Sequence, residues 1–141
     1  MATIQLTEEG YERTLIELFQ ELGYEYECGY DVERDPRNPL HEEVLRASLR
    51  RINPTLTAHG IDEMMKVLKD LEGADLVAQN ETFTDYLQNG MPVEDKVGGE
   101  YRTVNARLID YDRPEANDFR IVNQWTVEEF ATKRADLVVM V

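Results

Sequence analysis

The 141-residue sequence has one cysteine, no long hydrophobic run and about half as many basic as acidic residues. A single cysteine, Cys28, excludes an internal disulfide framework, so a reducing cytoplasm is the expected compartment. No apolar stretch approaches the roughly 18–20 residues of a membrane span, and the first residues lack the basic start and apolar core of a signal peptide. We therefore expect a cytoplasmic protein without a membrane segment.

The charge of the chain is strongly acidic and unevenly distributed. Fifteen lysines and arginines stand against 29 aspartates and glutamates, which gives a net charge of −14. Residues 1–35 hold ten acidic and two basic side chains, a local balance of −8. Phosphate binding normally needs clustered Lys and Arg, so the charge alone argues against direct contact with nucleic acid. A solvated acidic surface that aids solubility is the simplest interpretation.

The spacing of apolar residues changes from a helical to a strand period along the chain. Helical spacing and capping residues predict four helices, at about 7–22, 40–52, 58–72 and 74–88. Strands are predicted at about 24–28, 101–110 and 118–127, with a connecting loop at 91–99. We expect a single, incomplete α+β or mixed α/β domain over residues 1–141, with residues 1–90 mainly helical and 100–141 mainly strands.

The last five residues, Leu137 to Val141, are all apolar and rich in valine. Such a run favours a central strand covered on both faces. The chain stops before a turn signal appears, so we expect it to be the front piece of a longer protein. An uncovered strand edge is a template for another chain, so self-association of this piece is also expected.

Asp136 immediately precedes this apolar run. A carboxylate beside a buried strand is costly unless it is used, and Mg²⁺ prefers carboxylate oxygens, waters and phosphate oxygens as ligands. The alternative is that Asp136 lies at the start of the strand, either exposed or paired with Arg134 or Lys133. Spacing alone leaves both interpretations open.

Two segments near the end of the chain carry a family resemblance: Asn123-Gln124-Trp125-Thr126-Val127 and Lys133-Arg134-Ala135-Asp136-Leu137-Val138-Val139-Met140-Val141. They resemble the N-terminal nuclease domain of the R (restriction and motor) subunit of type I restriction-modification enzymes. In that family Asn-Gln precedes Arg-Pro-Asp, an apolar strand, an Asn-Gly turn and a returning strand with Glu-x-Lys. This sequence has Ala135 where proline is usual, and Glu-x-Lys would fall after residue 141.

The resemblance implies a partial PD-(D/E)xK nuclease fold in which Asp136 is the catalytic, metal-binding aspartate. Glu12 matches the position of an additional helical carboxylate in such cores, and an exposed helix-face glutamate is an equally good interpretation. The resemblance further implies Mg²⁺-dependent cleavage of double-stranded DNA after ATP-driven translocation, with ATP bound outside these residues. Methylation and specificity subunits are the implied partners. With one matched carboxylate and no lysine, this piece alone is expected to be inactive.

A rival hypothesis makes the chain an acidic interaction module without catalysis. The net charge of −14 motivates it, either for docking onto partner subunits or for mimicking the charge of DNA. A DNA mimic needs exposed carboxylates spaced like phosphates and little unfinished apolar strand. The apolar run at the end of this chain argues against mimicry and leaves subunit docking as the rival.

Overall fold

The computed structural model describes residues 7–128 and 131–141, in which four helices and two small sheets are formed. The helices are α1 (Glu8–Glu21), α2 (Glu42–Ile52), α3 (Ala58–Lys69) and α4 (Leu76–Asn89). The strands are β1 (Glu25–Cys28), β2 (Met91–Val97), β3 (Glu100–Ala106), β4 (Arg120–Glu128) and β5 (Thr132–Met140). The predicted mixture of helices and strands is confirmed. Within the described residues no helix combines the length and the apolar character needed to cross a membrane.

The chain divides into two compact units, of which one spans Glu42–Asn117 and the other joins Met1–His41 to Asp118–Val141. The Glu42–Asn117 unit contains α2, α3, α4 and the antiparallel β2–β3 pair. The other unit contains α1 and a three-stranded sheet in the order β1-β4-β5. The expectation of one incomplete domain over residues 1–141 stays a prediction.

Capping residues explain where the helices begin and end. The Thr7 side chain accepts a hydrogen bond from the Gly10 amide at 3.1 Å, and Glu8 and Glu9 occupy the first turn, where the helix dipole favours negative charge. Asp75 caps α4 in the same way, accepting from the Ala78 amide at 2.9 Å. The four helices agree with the predicted ranges to within a few residues.

In the sheet unit, β4 occupies the central position. It pairs in parallel with β1 and antiparallel with β5, and its side chains Ile121, Val122 and Trp125 are buried. The terminal strand β5 therefore lies at the edge of the described sheet, and Val139 and Val141 are 47% and 64% exposed. The expectation that the final apolar run is a central, covered strand is wrong for this structure, because β4 takes that place. Self-association stays a prediction.

The predicted loop at 91–99 is also wrong, because Met91–Val97 forms strand β2. Met91, Val93 and Asp95 alternate inward along it, and Gly98 and Gly99, with φ angles of 60° and 89°, make the two-residue turn into β3. A charged residue at the third inward position hides the period of two in the sequence. Together with Pro92 and the adjacent Gly98 and Gly99, Asp95 makes this segment resemble a loop in the sequence.

Asp95 is fully buried and holds the start of α3. Its carboxylate accepts a hydrogen bond from the Thr57 amide at 2.8 Å and another from the Thr57 hydroxyl. Burial acts to raise the pKa of Asp95, but the side-chain and backbone hydrogen bonds from Thr57, followed by those from the Lys96 and Gly60 amides, bring the pKa below its ordinary value. Gly60 leaves room for this contact, since a Cβ there would lie 2.8 Å from the Asp95 Cγ.

We predict that Asp95→Asn lowers the free energy of unfolding by about 1–3 kcal/mol at neutral pH, because an amide nitrogen would then face donors. The pKa of Asp95 is lower in the folded than in the unfolded protein, where it is about 3.9, so the carboxylate stabilises the fold fully above that pH. Its contribution to the free energy of unfolding is lost as the pH falls through the pKa of the folded protein. The difference in the free energy of unfolding between wild type and Asp95→Asn should therefore shrink below about pH 4. Urea unfolding at several pH values measures it.

The matched control is Glu94→Gln on the same strand, since Glu94 is exposed and its change should stay within about 0.5 kcal/mol. Equal free energies of unfolding for wild type and Asp95→Asn at neutral pH would contradict this role of Asp95. So would a difference that does not change with pH.

Candidate functional site

Asp136 lies in the middle of β5 with its side chain exposed. The ladder pairs Asn123 with Leu137 and Trp125 with Ala135, so Asp136 stands opposite Gln124 on β4. None of the described residues forms a hydrogen bond or an ion pair with the Asp136 side chain. The side chain is exposed, but Asp136 lies in mid-strand and not at the strand's start, and it does not pair with Arg134 or Lys133. Its role as a cation ligand stays a prediction.

The neighbouring basic residue has a different partner. The Arg134 guanidinium donates a hydrogen bond to the Tyr30 hydroxyl at 2.8 Å, which ties β5 to the short 3₁₀ helix Gly29–Asp31. Asp136 is thus left as an accessible carboxylate, and Arg134 on the same strand is engaged with Tyr30. An accessible carboxylate of this kind keeps its oxygens available for a cation or a water molecule.

Gln124, opposite Asp136, has a left-handed backbone conformation with φ of 52°. It is the only non-glycine residue with positive φ in the part of the chain that the structure describes. For a residue other than glycine this conformation costs about 1–2 kcal/mol. Its side-chain Nε2 donates a hydrogen bond to Glu12 Oε1 at 3.1 Å. Gln124 therefore connects the partner strand of β5 to helix α1.

Glu12 lies on the half-buried face of α1, one turn before the buried Ile16. Side chains four residues apart share a helix face, so the burial of Ile16 fixes the direction in which Glu12 points. The structure thus brings Glu12 to Gln124, and Gln124 to the position opposite Asp136. The sequence resemblance points to both acids and gives no role to Gln124.

The end of β1 approaches the same part of β4 closely. The Gly29 amide donates to Asn123 Oδ1 at 3.4 Å, and a Cβ at Gly29 would lie 2.3 Å from the Asn123 carbonyl oxygen and 2.5 Å from that of Gln124. Only glycine permits this approach without moving one of the two segments. The backbone at Asn123 and Gln124 is therefore constrained from the β1 side.

Tyr26 adds a neutral hydroxyl to the surroundings of Glu12. Burial raises the pKa of Tyr26, the neighbouring Cys28 and Glu12 raise it further, and a hydrogen bond with Asn123 acts in the opposite direction. The hydroxyl therefore stays protonated at neutral pH and can act as a donor. Sequence reasoning missed Tyr26 because a tyrosine in a short alternating strand is equally typical of packing.

Three side chains named so far carry oxygen ligands of the types suited to a hard cation. Glu12 and Asp136 provide carboxylates and Gln124 an amide oxygen, the ligand types that Mg²⁺ accepts. No group of three or more His, Cys, Asp and Glu side chains with metal-binding geometry occurs within residues 7–128 and 131–141. The donor set fits Mg²⁺ in kind but is too small to bind it tightly.

Comparison with known proteins gives one family and two relatives. The family model described as "Type I restriction enzyme R protein N terminus" matches residues 5–141. The type I restriction enzyme HindI endonuclease subunit of Haemophilus influenzae is 32% identical over 133 residues, covering 84% of this chain and 12% of that protein. The putative type I restriction enzyme MjaIXP endonuclease subunit of Methanocaldococcus jannaschii is 29% identical over 140 residues, covering 92% of this chain. The chain spans only 12–13% of the length of these two curated relatives.

We predict that Gly29→Ala destabilises the sheet unit by at least about 1–3 kcal/mol, because the new methyl group would overlap two carbonyl oxygens of β4. Thermal unfolding and the hydrogen-exchange protection of the β4 amides measure the effect. The control is Gly98→Ala, where open space surrounds the added Cβ and only the φ of 60° is unfavourable. Equal protection of the β4 amides in Gly29→Ala and wild type would contradict the close approach.

Proposed function

Because the chain belongs to the family of type I restriction enzyme R protein N termini, we propose that it forms the first part of a nuclease site in a longer R protein. The observation that carries the proposal is the position of Asp136, exposed on β5 opposite a glutamine that binds Glu12. Asp136 is an accessible acid in mid-strand, and Gln124, which stands opposite it on β4, binds a second acid, Glu12. Such acids are suitable first ligands of a metal site. Asp136 is the proposed catalytic metal ligand and Glu12 the proposed second ligand.

The reaction proposed for the longer protein is Mg²⁺-dependent cleavage of double-stranded DNA. When bound, Mg²⁺ supplies Lewis-acid stabilisation of the phosphate and a water of lowered pKa. Asp136 and Glu12 would hold the ion, and Gln124 would keep the Glu12 carboxylate in place. The family resemblance leads us to expect a second strand acid and a lysine after residue 141, so the chain by itself is proposed to be inactive.

The remaining activities of the whole protein are proposed to reside outside these residues. The chain covers about one eighth of the length of its relatives, which leaves ample length for ATP-driven motor domains. The relatives are named endonuclease subunits. Methylation and specificity subunits are the proposed partners, and DNA recognition would belong to the specificity subunit.

We predict that Asp136→Asn in the full-length R protein, assembled with its partner subunits, reduces DNA cleavage at least about 100-fold. Substitution of a residue that orients a metal ligand typically lowers metal affinity or activity about 10–100-fold, and removal of the ligand itself should lower the cleavage rate further. DNA-stimulated ATP hydrolysis should stay near the wild-type rate, because the motor lies elsewhere. Cleavage of covalently closed DNA with Mg²⁺ and ATP gives the first rate, and phosphate release gives the second.

The matched control is Asp70→Asn, an exposed aspartate at the end of α3 without an ion pair among the described residues. It should leave both rates unchanged. Cleavage by Asp136→Asn at the wild-type rate would contradict the assignment of the site. The 141-residue chain should not cut DNA with Mg²⁺, and cutting by the chain alone would contradict its proposed inactivity.

A second candidate function, docking onto a partner subunit, is favoured by an exposed apolar stripe on α1. Tyr11, Leu15, Leu18 and Leu22 follow one face of the helix and are 55%, 41%, 49% and 68% exposed. Residues 1–35 carry a net charge of −8, so a partner surface complementary to the stripe on α1 would be apolar with a basic rim. The proposed occupant is therefore a basic surface of the methylation and specificity subunit assembly.

Docking predicts that the 141-residue chain binds this assembly at low salt and that the affinity falls as the salt concentration rises. Leu18→Ser should weaken binding, because it removes apolar area from the centre of the stripe. Calorimetric titration at two salt concentrations measures both effects, with Val77→Ser as a control because Val77 is exposed on α4. An absence of binding at low salt would exclude the docking function.

A further inference from the structure

Arg134 and Asp136 lie on the same face of β5. Successive side chains of a strand point to opposite faces, so residues two apart share a face, with their Cα atoms about 6–7 Å from each other. The pairing with β4 has one register here, with Thr126 opposite Arg134 and Asn123 opposite Leu137, so no inserted residue disturbs the alternation. Both residues are exposed. A molecule that approaches Asp136 along this face therefore also meets Arg134.

The positive charge of Arg134 is not neutralised by the acids of this chain. Within the residues that the structure describes, no carboxylate lies within ion-pair distance of its guanidinium, although the chain has 29 acids against 15 bases. Arg120 on β4 is the contrasting case, since it forms ion pairs with Glu25, Glu27 and Asp118. An arginine without a carboxylate partner keeps its charge available for an anion from outside.

Tyr30 fixes the direction of the Arg134 side chain. The guanidinium Nη1 donates a hydrogen bond to the Tyr30 hydroxyl at 2.8 Å. Tyr30 follows the end of β1, and because β4 lies between β1 and β5, this bond crosses over β4. The close approach of Gly29 to β4 brings the segment there, since a Cβ at Gly29 would lie 2.5 Å from the Gln124 carbonyl oxygen. Tyr30 is 66% exposed, so the two bonded side chains stand at the surface.

Together, Arg134 and Tyr30 present donors that suit a phosphate group. The Tyr30 oxygen accepts the bond from Arg134, which leaves its own O–H free to donate. The guanidinium has five N–H donors in a planar fork, and this fork matches the geometry of phosphate oxygens. Hydrogen bonds from a charged donor to phosphate are about twice as strong as neutral ones. The pair can therefore supply a positive charge and a second donor to one phosphate.

A phosphate contact at this place would also answer an electrostatic difficulty of the proposed reaction. The net charge of −14 repels DNA, and Asp136 adds a negative charge at the proposed site. Lys133 and Arg134 precede Asp136, and neither forms an ion pair with another described residue. This stretch of β5 thus has a positive local balance. DNA meets less repulsion here than over the acidic remainder of the chain.

We propose that Arg134 and Tyr30 together bind a backbone phosphate of the DNA strand that is cut at Asp136. Both are positioning residues, which hold the strand and take no part in the reaction itself. The contact is with the backbone, so it carries no base specificity. This inference rests on the proposed nuclease function and adds the place at which an acidic chain contacts DNA.

The alternative role of the same hydrogen bond is a structural tie between β5 and the 3₁₀ helix. A tie needs the hydrogen bond, whereas a phosphate contact also needs the charge of Arg134. Arg134→Gln removes the charge and keeps an amide donor, Arg134→Lys keeps the charge without the fork, and Tyr30→Phe removes the hydroxyl and leaves the charge. The control is Arg13→Gln, which removes an exposed arginine of α1 that has no ion pair among the described residues.

The experiment is an NMR titration of the 141-residue chain with a short DNA duplex at several salt concentrations, with thermal unfolding to verify that each variant is folded. We expect the duplex to shift the amide signals of Tyr30 and of β5 around Arg134. Arg134→Gln should weaken binding about 10-fold and reduce the slope of log affinity against log salt concentration by about 1. Arg134→Lys should keep the slope, and Tyr30→Phe should weaken binding without changing it. Arg13→Gln should match wild type.

Inorganic phosphate, titrated at the same concentration of phosphate groups and the same ionic strength, distinguishes a DNA contact from a general anion site. It should leave the β5 amides unshifted. In the full-length R protein, Arg134→Gln should lower the rate of DNA cleavage while ATP hydrolysis stays near the wild-type rate.

Three results would overturn the inference: no shift of Tyr30 or β5 with the duplex at low salt, equal salt slopes for wild type and Arg134→Gln, or equal shifts with inorganic phosphate and DNA. Asp136→Asn tests the proposed function separately, because it should abolish cleavage and keep the DNA contact at Arg134. If Asp136→Asn cuts at the wild-type rate, the nuclease site itself is misassigned. If it loses cleavage while Arg134→Gln keeps wild-type DNA affinity and cleavage, only the phosphate contact fails.

Discussion

The hydrogen bond between Gln124 and Glu12 is the interaction on which the account of the site depends. It joins α1 to the central strand β4 at the position opposite Asp136. This bond distinguishes Glu12 from an ordinary helix-face glutamate, and the metal-binding roles of Glu12 and Asp136 stay proposals. The fold supports the bond from both sides, through the close approach of Gly29 and through the fixed Trp125 ring. A backbone conformation of this cost persists only where the surrounding structure over-determines it.

The contrast between Asp95 and Asp136 shows how one residue type takes on two physical roles. Asp95 is fully buried and its oxygens receive hydrogen bonds from the start of α3, so its charge is stabilised inside the Glu42–Asn117 unit. Asp136 is exposed, and none of the described residues forms a hydrogen bond with its side chain. A satisfied buried acid stabilises a helix terminus, whereas an accessible acid keeps its oxygens for a ligand. The hydrogen bonds to Asp95 explain how a charged side chain is buried there, and the role of the exposed Asp136 stays a proposal.

Local sequence patterns predicted the helices well, because the period of 3.6 and the capping residues Thr7 and Asp75 act within a few residues. Strand β2 was missed in part because its inward residue Asp95 is charged, and a charge on the inner face is explained only by Thr57, 38 residues away in the sequence. The edge position of β5 depends on which strand pairs with which, and no local pattern contains that information. The family resemblance supplied Asp136 and Glu12. Gln124 could not be identified as the partner of Glu12, since neither its left-handed backbone nor its partner on α1 follows from the residues near it in the sequence.

The most direct measurement of the central claim is anomalous diffraction from crystals of the full-length R protein soaked with Mn²⁺ as a substitute for Mg²⁺. The account predicts an anomalous peak within coordination distance of the Asp136 carboxylate, with Glu12 in the same coordination sphere and Gln124 still bound to Glu12. A metal peak bound by other residues, with Asp136 and Glu12 in contact with solvent alone, would contradict it.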